Sequence, residues 1–242
     1  MIPGLSGALS GFAGRGIMTL GRAAGTSATN NVTVTKPSGV ASGDLLIAVM
    51  ATDAAATWSE GVSWTSRLSQ VAEPSLKIAT RIAGGSEGAN YTFNSGVAVP
   101  TTVQIFAFRG AAWDTIGTIA TLSNTGSLVL TTVTLTGNLL FGVIATSQYP
   151  FQGHSTPAGM SLIVQTQNTA DPTPNYGNTL STFNQTVAPG ATVGDVAPAA
   201  HHVKPVRQGP GAARALHRRG QGVVGHSALF MQQFEQVRHR LR

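Results

Sequence analysis

The sequence predicts an all-β protein, a β-sandwich or jelly-roll-like single domain, on three observations. Ala, Gly, Thr, Ser and Val dominate, and charged residues make up only 10% of the chain, against about 25% in an average soluble domain. Short apolar stretches with period-two alternation recur from residue 30 to 196, punctuated by Gly, Asn, Pro and Ser. No segment before residue 200 has the 3.6-residue periodicity of a helix. Many short strands with regular turns, and no interleaved helices, point to two packed sheets rather than to a βαβ fold.

The strands can be justified in order. "NNVTVTKP" alternates Val and Thr, as a half-buried strand does. "SGDLLIAVMATD" leaves a Gly-Asp turn as a continuous apolar run, the pattern of a strand buried on both faces. "SLKIATRIAGG" sets Leu76, Ile78 and Thr80 against Lys77 and Arg81, then stops at Gly84-Gly85. "NYTFNSG" is a short aromatic strand, and "TTVQIFAFRG" alternates Val103, Ile105 and Ala107 with Gln104, Phe106 and Phe108. "GSLVLTTVTLTGNLLFGVIATS" reads as two strands joined at Thr136-Gly137-Asn138. "GMSLIVQTQN" and "TLSTFNQTVAPG" complete the set. "GDLLIAVMATD" and "GNLLFGVIATS" look alike. Two central strands under one packing demand account for that better than a duplicated half.

Charge divides the chain into three parts: an N-terminal extension over 1–29, the β-domain over 30–196, and a basic tail over 197–242. Residues 23–199 carry five basic and eight acidic residues, and residues 200–242 carry eight basic and one acidic. Such asymmetry marks an interacting tail. "VKPVRQGPGA" is broken by Pro205, Gly209, Pro210 and Gly211. Beyond it, Leu229, Phe230, Phe234, Val237 and Leu241 predict a short amphipathic helix with Ser227 as its N-cap. The N-terminal stretch is apolar and Gly-rich, but Arg15 and Arg22 interrupt it and no basic n-region precedes it. It reads as an extension rather than a signal peptide. No run reaches the roughly 18–20 apolar residues of a membrane helix, so membrane insertion is not expected.

Little chemistry is visible. The chain has no cysteine, so thiolate metal sites, disulfides and Cys nucleophiles are excluded. Asp44, Asp53, Asp114, Asp171 and Asp195 lie near turn signals and read as polar loop tips. His154 is a lone His in a loop and reads as solvated, and the other His residues lack metal-ligand spacing. "GGSEG" lacks the Lys and the helix of a phosphate loop. These patterns predict no catalytic residues, no metal and no cofactor. Trp58, Trp64 and Trp113 each sit beside a predicted loop and are the candidates for stacking on a sugar. The basic tail could neutralise phosphates, but it lacks aromatic interleaving, so nucleic acid is a weaker reading. Arg207, Arg214, Arg218, Arg219, Phe230 and Phe234 are the candidate contacts to another protein.

Thirteen positions carry a resemblance: Pro37, Gly39, Gly43, Asp44, Trp64, Arg81, Ala83, Glu87, Tyr91, Phe93, Phe108, Arg109 and Gly110. In this order, over residues 36–110, the chain resembles a family of β-sandwich proteins of bacteriophage and prophage genomes described as tail, tail-fibre or virion-associated. The resemblance extends more loosely over 30–190 and leaves out both ends. It implies a non-enzymatic structural subunit of a virion, in the tail, tail fibre or head surface. Such a subunit would be a homo-oligomer that meets other virion proteins through its terminal segments. A carbohydrate-binding adhesin for a host-surface glycan is the alternative, with nucleic-acid binding through the tail behind it.

Overall fold

In a computed structural model, the chain is described over residues 17–61, 63–116, 120–123, 133–134, 139–147, 153–168, 177–186, 192–193 and 226–236. The first strands are β1 (Met18–Ser27), β2 (Asn31–Thr35), β3 (Leu45–Thr52), β4 (Thr65–Gln70) and β5 (Ser75–Ile82). Then come β6 (Asn90–Asn94), β7 (Thr101–Arg109), β8 (Ala111–Ile116), β9 (Ala120–Ser123) and β10 (Val133–Thr134). The last are β11 (Leu139–Ser147), β12 (Ser161–Asn168), β13 (Asn178–Thr186), β14 (Thr192–Val193) and β15 (His226–Gln236). Among the described residues every element is a strand and every pairing between strands is antiparallel. The protein is an all-β sandwich.

One sheet runs β1-β7-β3-β5-β4, and the other runs β12-β13-β11-β15-β8 with β9 also pairing β15. Leu45, Ile47, Val49 and Ala51 of β3 face Leu139, Phe141, Val143 and Ala145 of β11 in one core. The similar sequences of these strands therefore reflect similar places, each inside its own sheet against the other. The opposite face of the first sheet is also covered. There Leu46, Ala48 and Met50 meet Val32, Val34, Tyr91 and Phe93 of the two-stranded β2-β6 ribbon. Strand β3 thus lies between two layers, and all eight of its residues are buried. This is why its sequence is a continuous apolar run rather than an alternation. Each fully buried Leu, Ile or Phe contributes about 1.5–3 kcal/mol relative to exposure, so the two cores supply most of the driving force. The chain passes from the first sheet to the second between β7 and β8 at Gly110, whose φ of +71° is a conformation that a Cβ disfavours.

Two stretches depart from the sequence reading. Strand β1 lies inside the segment taken as an N-terminal extension and pairs with β7 from Met18↔Arg109 to Ser27↔Thr101. Its Gly and Ala hide the alternation, and they are also what allows it to lie close: a Cβ on Gly25 would stand 2.8 Å from the Thr33 carbonyl oxygen. The second departure is a correction. Residues 226–236, expected as an amphipathic helix, form β15, paired with β11 over His226–Phe234. "ALFMQQF" fits either period over so short a stretch. The unpaired edge of β11 offers a row of backbone hydrogen bonds that a lone helix would leave unmade.

Candidate functional site

Trp58, Trp64 and Trp113 do not form one platform. Trp58 is only 4% exposed, and its Nε1 donates to Ser75 Oγ at 3.0 Å. It therefore has no free ring face for a sugar, which corrects its reading as a glycan contact. Trp64 packs edge-on against Tyr91 (5.6 Å) and Phe93 (5.5 Å) in the core beneath the β2-β6 ribbon. Trp113 packs against the other core, between the two large sheets. The guanidinium of Arg67 lies over its ring at 5.4 Å. All three indoles are fastened into the scaffold, and they are divided between opposite faces of the first sheet.

Lys77 shows how the Trp58 loop is held. The alternation of β5 placed this residue on a solvent face, yet it is buried at 8% exposure. Its Nζ donates to the Trp58 carbonyl at 3.1 Å and pairs with Glu60. Ser75, which accepts from Trp58, donates in turn to the Ala56 carbonyl at 3.3 Å. The buried ammonium thus has both a carboxylate and a carbonyl to bind.

The four charged residues among the thirteen singled out in the sequence, Asp44, Arg81, Glu87 and Arg109, form two clamps. In the first, Arg109 forks onto Asp44, with Nε at 2.9 Å from Oδ1 and one terminal nitrogen at 2.8 Å from Oδ2. Arg109 also donates to the Gly39 carbonyl at 3.0 Å, and the Ala41 N–H donates to Asp44 Oδ2 at 2.7 Å. Asp44 is 2% exposed, an ion-paired bracket rather than a solvated loop tip. The Arg109 hydrogen bond, outweighing burial, holds its carboxyl below the ordinary value of 3.8. In the second clamp, Glu87 accepts from Arg81 (2.8 Å), the Gly84 N–H (2.6 Å) and the Tyr91 hydroxyl (2.9 Å). Burial pushes the Glu87 carboxyl up, but these donors together bring it below the ordinary 4.5. Burial and the same carboxylate push the Tyr91 hydroxyl upward. Arg81 lies over the Tyr91 ring at 5.8 Å, and Tyr91 meets Trp64.

His154 is pinned, not solvated. Its loop folds onto the outer face of the second sheet, where Nδ1 meets Ser181 Oγ at 2.8 Å and Nε2 meets Thr146 Oγ1 at 3.0 Å. Gln165 Oε1 accepts from the His154 backbone N–H (2.8 Å) and from Ser181 Oγ (3.1 Å). With the Ser181 proton directed to Gln165, Nδ1 is the donor toward Ser181 Oγ. Both ring nitrogens therefore serve the fold.

The feature least visible in sequence is a polar seam between the large sheets. Gln104 Nε2 donates to the Leu180 carbonyl and to Thr166 Oγ1, both at 2.9 Å, while Thr182 Oγ1 donates to Gln104 Oε1 at 3.2 Å. Asn178 Nδ2 donates to the Ala51 carbonyl at 2.8 Å and its Oδ1 accepts from Thr102 Oγ1 at 2.7 Å. Asn168 Nδ2 donates to the carbonyls of Ser27 (2.7 Å) and Thr101 (2.8 Å). The signal was Gln104 itself, an amide set within "TTVQIFAF".

Of the candidate assembly residues, Arg207, Arg214, Arg218 and Arg219 lie outside the described residues, as do Asp171 and Asp195. Phe230 and Phe234 lie on β15, opposite Val143 and Leu139 of β11, and Phe234 is also opposite Trp113 of β8. Their backbone is part of the protein's own sheet, which corrects the picture of a free helix presenting them to a neighbour. Among the described residues no group of three or more His, Asp or Glu side chains could hold a metal ion. No family model, curated protein or solved structure matches the chain.

Proposed function

We propose that this chain is a non-enzymatic structural subunit of a bacteriophage particle, in the tail, tail fibre or head surface, that works by assembling with other copies and with other virion proteins. One observation carries the reading. The charged residues behind the phage-family resemblance spend their charges on each other and on the Tyr91 ring beside Trp64, in the Asp44–Arg109 bracket and the Arg81–Glu87–Tyr91–Trp64 cluster. A motif of that kind encodes a rigid frame, which is what a repeating subunit has to supply. The low charge of the chain also suits a surface that is covered by neighbours. The carbohydrate reading is the weaker one, because Trp58 is enclosed and the other two indoles lie on different layers.

The test is to purify particles from cells that carry the gene, and to locate the chain by mass spectrometry and by gold-labelled antibody. Stoichiometric presence at a defined place on the tail or head is the expected result. Particles that lack the chain would overturn the reading.

A further inference from the structure

The two large sheets are built alike, strand for strand. The first runs β1-β7-β3-β5-β4, and the second, taken from its other edge, runs β8-β15-β11-β13-β12, with β9 beside β8. Counted along the chain these are the same places. Each sheet holds the first, seventh, third, fifth and fourth strands of its half, with β8 and β9 together standing where β1 stands. The second and sixth strands of each half pair with each other, as β2-β6 and as β10-β14. Among the described residues no strand of one half pairs with a strand of the other.

The registers repeat as well. With Leu45 set on Leu139, the partners follow: Leu45 stands opposite Ile82 and Phe108, and Leu139 opposite Thr186 and Phe234. The fourth strand carries a bulge at one place in both halves. It falls between Ser66 and Leu68, opposite Ala79 and Ile78, and between Leu162 and Val164, opposite Phe183 and Thr182. The first strand carries another, between Thr19 and Gly21 opposite Phe108 and Ala107, and between Trp113 and Thr115 opposite Phe234 and Gln233. Shared packing demand explains why β3 and β11 are both apolar. It does not set the order of the strands or the places of the bulges, which persist within families.

We propose that residues 17–110 and 111–236 are two copies of one seven-stranded unit joined in tandem, and that the face between the large sheets is the homodimer interface of that unit, closed within one chain. The interface has the form this requires. A two-fold contact uses the same patch from both sides. Here Leu45, Ile47, Val49 and Ala51 meet their own counterparts Leu139, Phe141, Val143 and Ala145. Strands β3 and β11 run the same way, since Ser147 Oγ at the end of β11 donates to the Asp53 carbonyl at the end of β3, at 3.3 Å. The axis relating the halves therefore lies along the strands. The join is short because the unit begins where it ends: Met18 stands opposite Arg109, and Gly110 alone separates β7 from β8. The likeness of "GDLLIAVMATD" and "GNLLFGVIATS" is then inherited, with Gly43, Leu45, Leu46, Val49, Ala51 and Thr52 repeated as Gly137, Leu139, Leu140, Val143, Ala145 and Thr146. Elsewhere the role outlasts the residue. Lys77 and Ser181 occupy equivalent places, opposite Met50 and Ile144. Each fastens the loop after the third strand of its own half, Lys77 through the Trp58 carbonyl and Ser181 through His154 Nδ1.

Two measurements test this, and neither depends on where the chain sits in a particle. In the first, relatives of the full chain are sequenced until each half has a deep alignment of its own, and the profile of 17–110 is compared with that of 111–236. The two profiles are expected to align above shuffled controls, with Leu45 on Leu139, Leu68 on Val164, Leu76 on Leu180 and Phe108 on Phe234. No alignment, or alignment in another register, overturns the common origin. In the second, a full-length chain is made with its halves in reverse order, 111–242 followed by 1–110. Every strand pairing among the described residues lies within a half, so this chain is expected to match the natural one in near-ultraviolet circular dichroism and to melt in one transition. A reordered chain that stays unfolded while the profiles align would leave the common origin standing and overturn the assignment of the inter-sheet face as a homodimer interface.

Discussion

The two ends of β7 face the same partner sheet with opposite chemistry. Toward Gly110, Phe106 and Phe108 meet Phe141 edge-on at 5.1 and 6.1 Å. Toward the start of the strand, Thr102 and Gln104 meet Asn178, Thr182 and Thr166 through hydrogen bonds. Both ends are fully buried. The apolar end is held by area and shape, which are insensitive to a slide of a fraction of an ångström. The polar end is held by directional bonds that exist at one register and one spacing only. The comparison teaches that one end supplies the stability of the sandwich and the other fixes how its sheets are aligned.

The largest expected effect comes from emptying the apolar end. Phe141→Ala removes a ring touching two others in a site with 0% exposure. It is expected to cost about 3–5 kcal/mol in urea unfolding. Phe141→Leu, which keeps most of the volume, should cost clearly less. Equal losses for the two variants would mean that the site is governed by something other than the cavity.

The polar end should respond in a different manner. Asn178→Leu leaves Thr102 Oγ1 and the Ala51 carbonyl buried without their partner, an expected loss of about 2–3 kcal/mol. Adding Thr102→Val removes one of those orphaned groups and should recover part of the loss, since replacing both partners of a buried bond is close to neutral. No pair of changes at Phe141 behaves in this way. A double variant no more stable than Asn178→Leu alone would show that hydrogen bonding is not what holds this end together.

This contrast also explains what the sequence made legible. Strands β2, β3, β5, β6, β7, β11, β12 and β13 could be read because burial imposes a period or a continuous apolar run on them. Strand β4 could not, because it is an edge strand in which Leu68 alone is buried. Strand β1 could not, because its glycines serve close approach rather than burial. Strand β15 was legible as an apolar segment and illegible as a strand, since what decides its conformation is the open edge of β11, far away in sequence. The seam was hidden for a similar reason. A buried Thr or Gln looks like a solvent-facing one until its partners on the other sheet are known. The clamps lay between these cases: their residues could be picked out as a pattern, but Asp44 reaching Arg109 and Arg81 reaching Glu87 are facts of three dimensions.

Smaller effects are expected from acid. Asp44 and Glu87 have carboxyls held below their ordinary values of 3.8 and 4.5. A group with a lowered folded value stabilises above its ordinary value, and that contribution is lost as the pH falls through the folded value. The clamps should therefore be intact at neutral pH and weaken progressively below about pH 4.5. Asp44→Asn/Glu87→Gln should lower Tm at pH 7 by a few degrees and flatten the acid limb between about pH 5 and 3. Melting curves over that range decide the matter. An acid limb as steep as that of the unmodified protein would mean that other carboxylates carry it. The Phe141 and Asn178 variants should keep the acid limb, because neither end of β7 relies on an ionised group.

The smallest effect belongs to the rim of the apolar end. Arg67 reaches from β4 to β8, lying over Trp113 and donating its Nε to Thr80 Oγ1 at 2.8 Å. It closes one edge of the sandwich, whereas the opposite edge is closed by Asn168 bonding to β1 and β7. Arg67 is exposed, and a cation over a ring at an exposed site contributes about 0.5–1 kcal/mol. Arg67→Ala should cost about that much. Arg67→Lys should recover less than half, because an ammonium can neither stack flat on the indole nor present Nε to Thr80 at the same time. Asn168→Ala, at 1% exposure, should cost more than Arg67→Ala, since it removes a buried amide that donates to the carbonyls of both Ser27 and Thr101. If the two edges proved equal, the ordering by burial would be wrong, and the rim contact of Arg67 would rank with the seam as a determinant of sheet alignment.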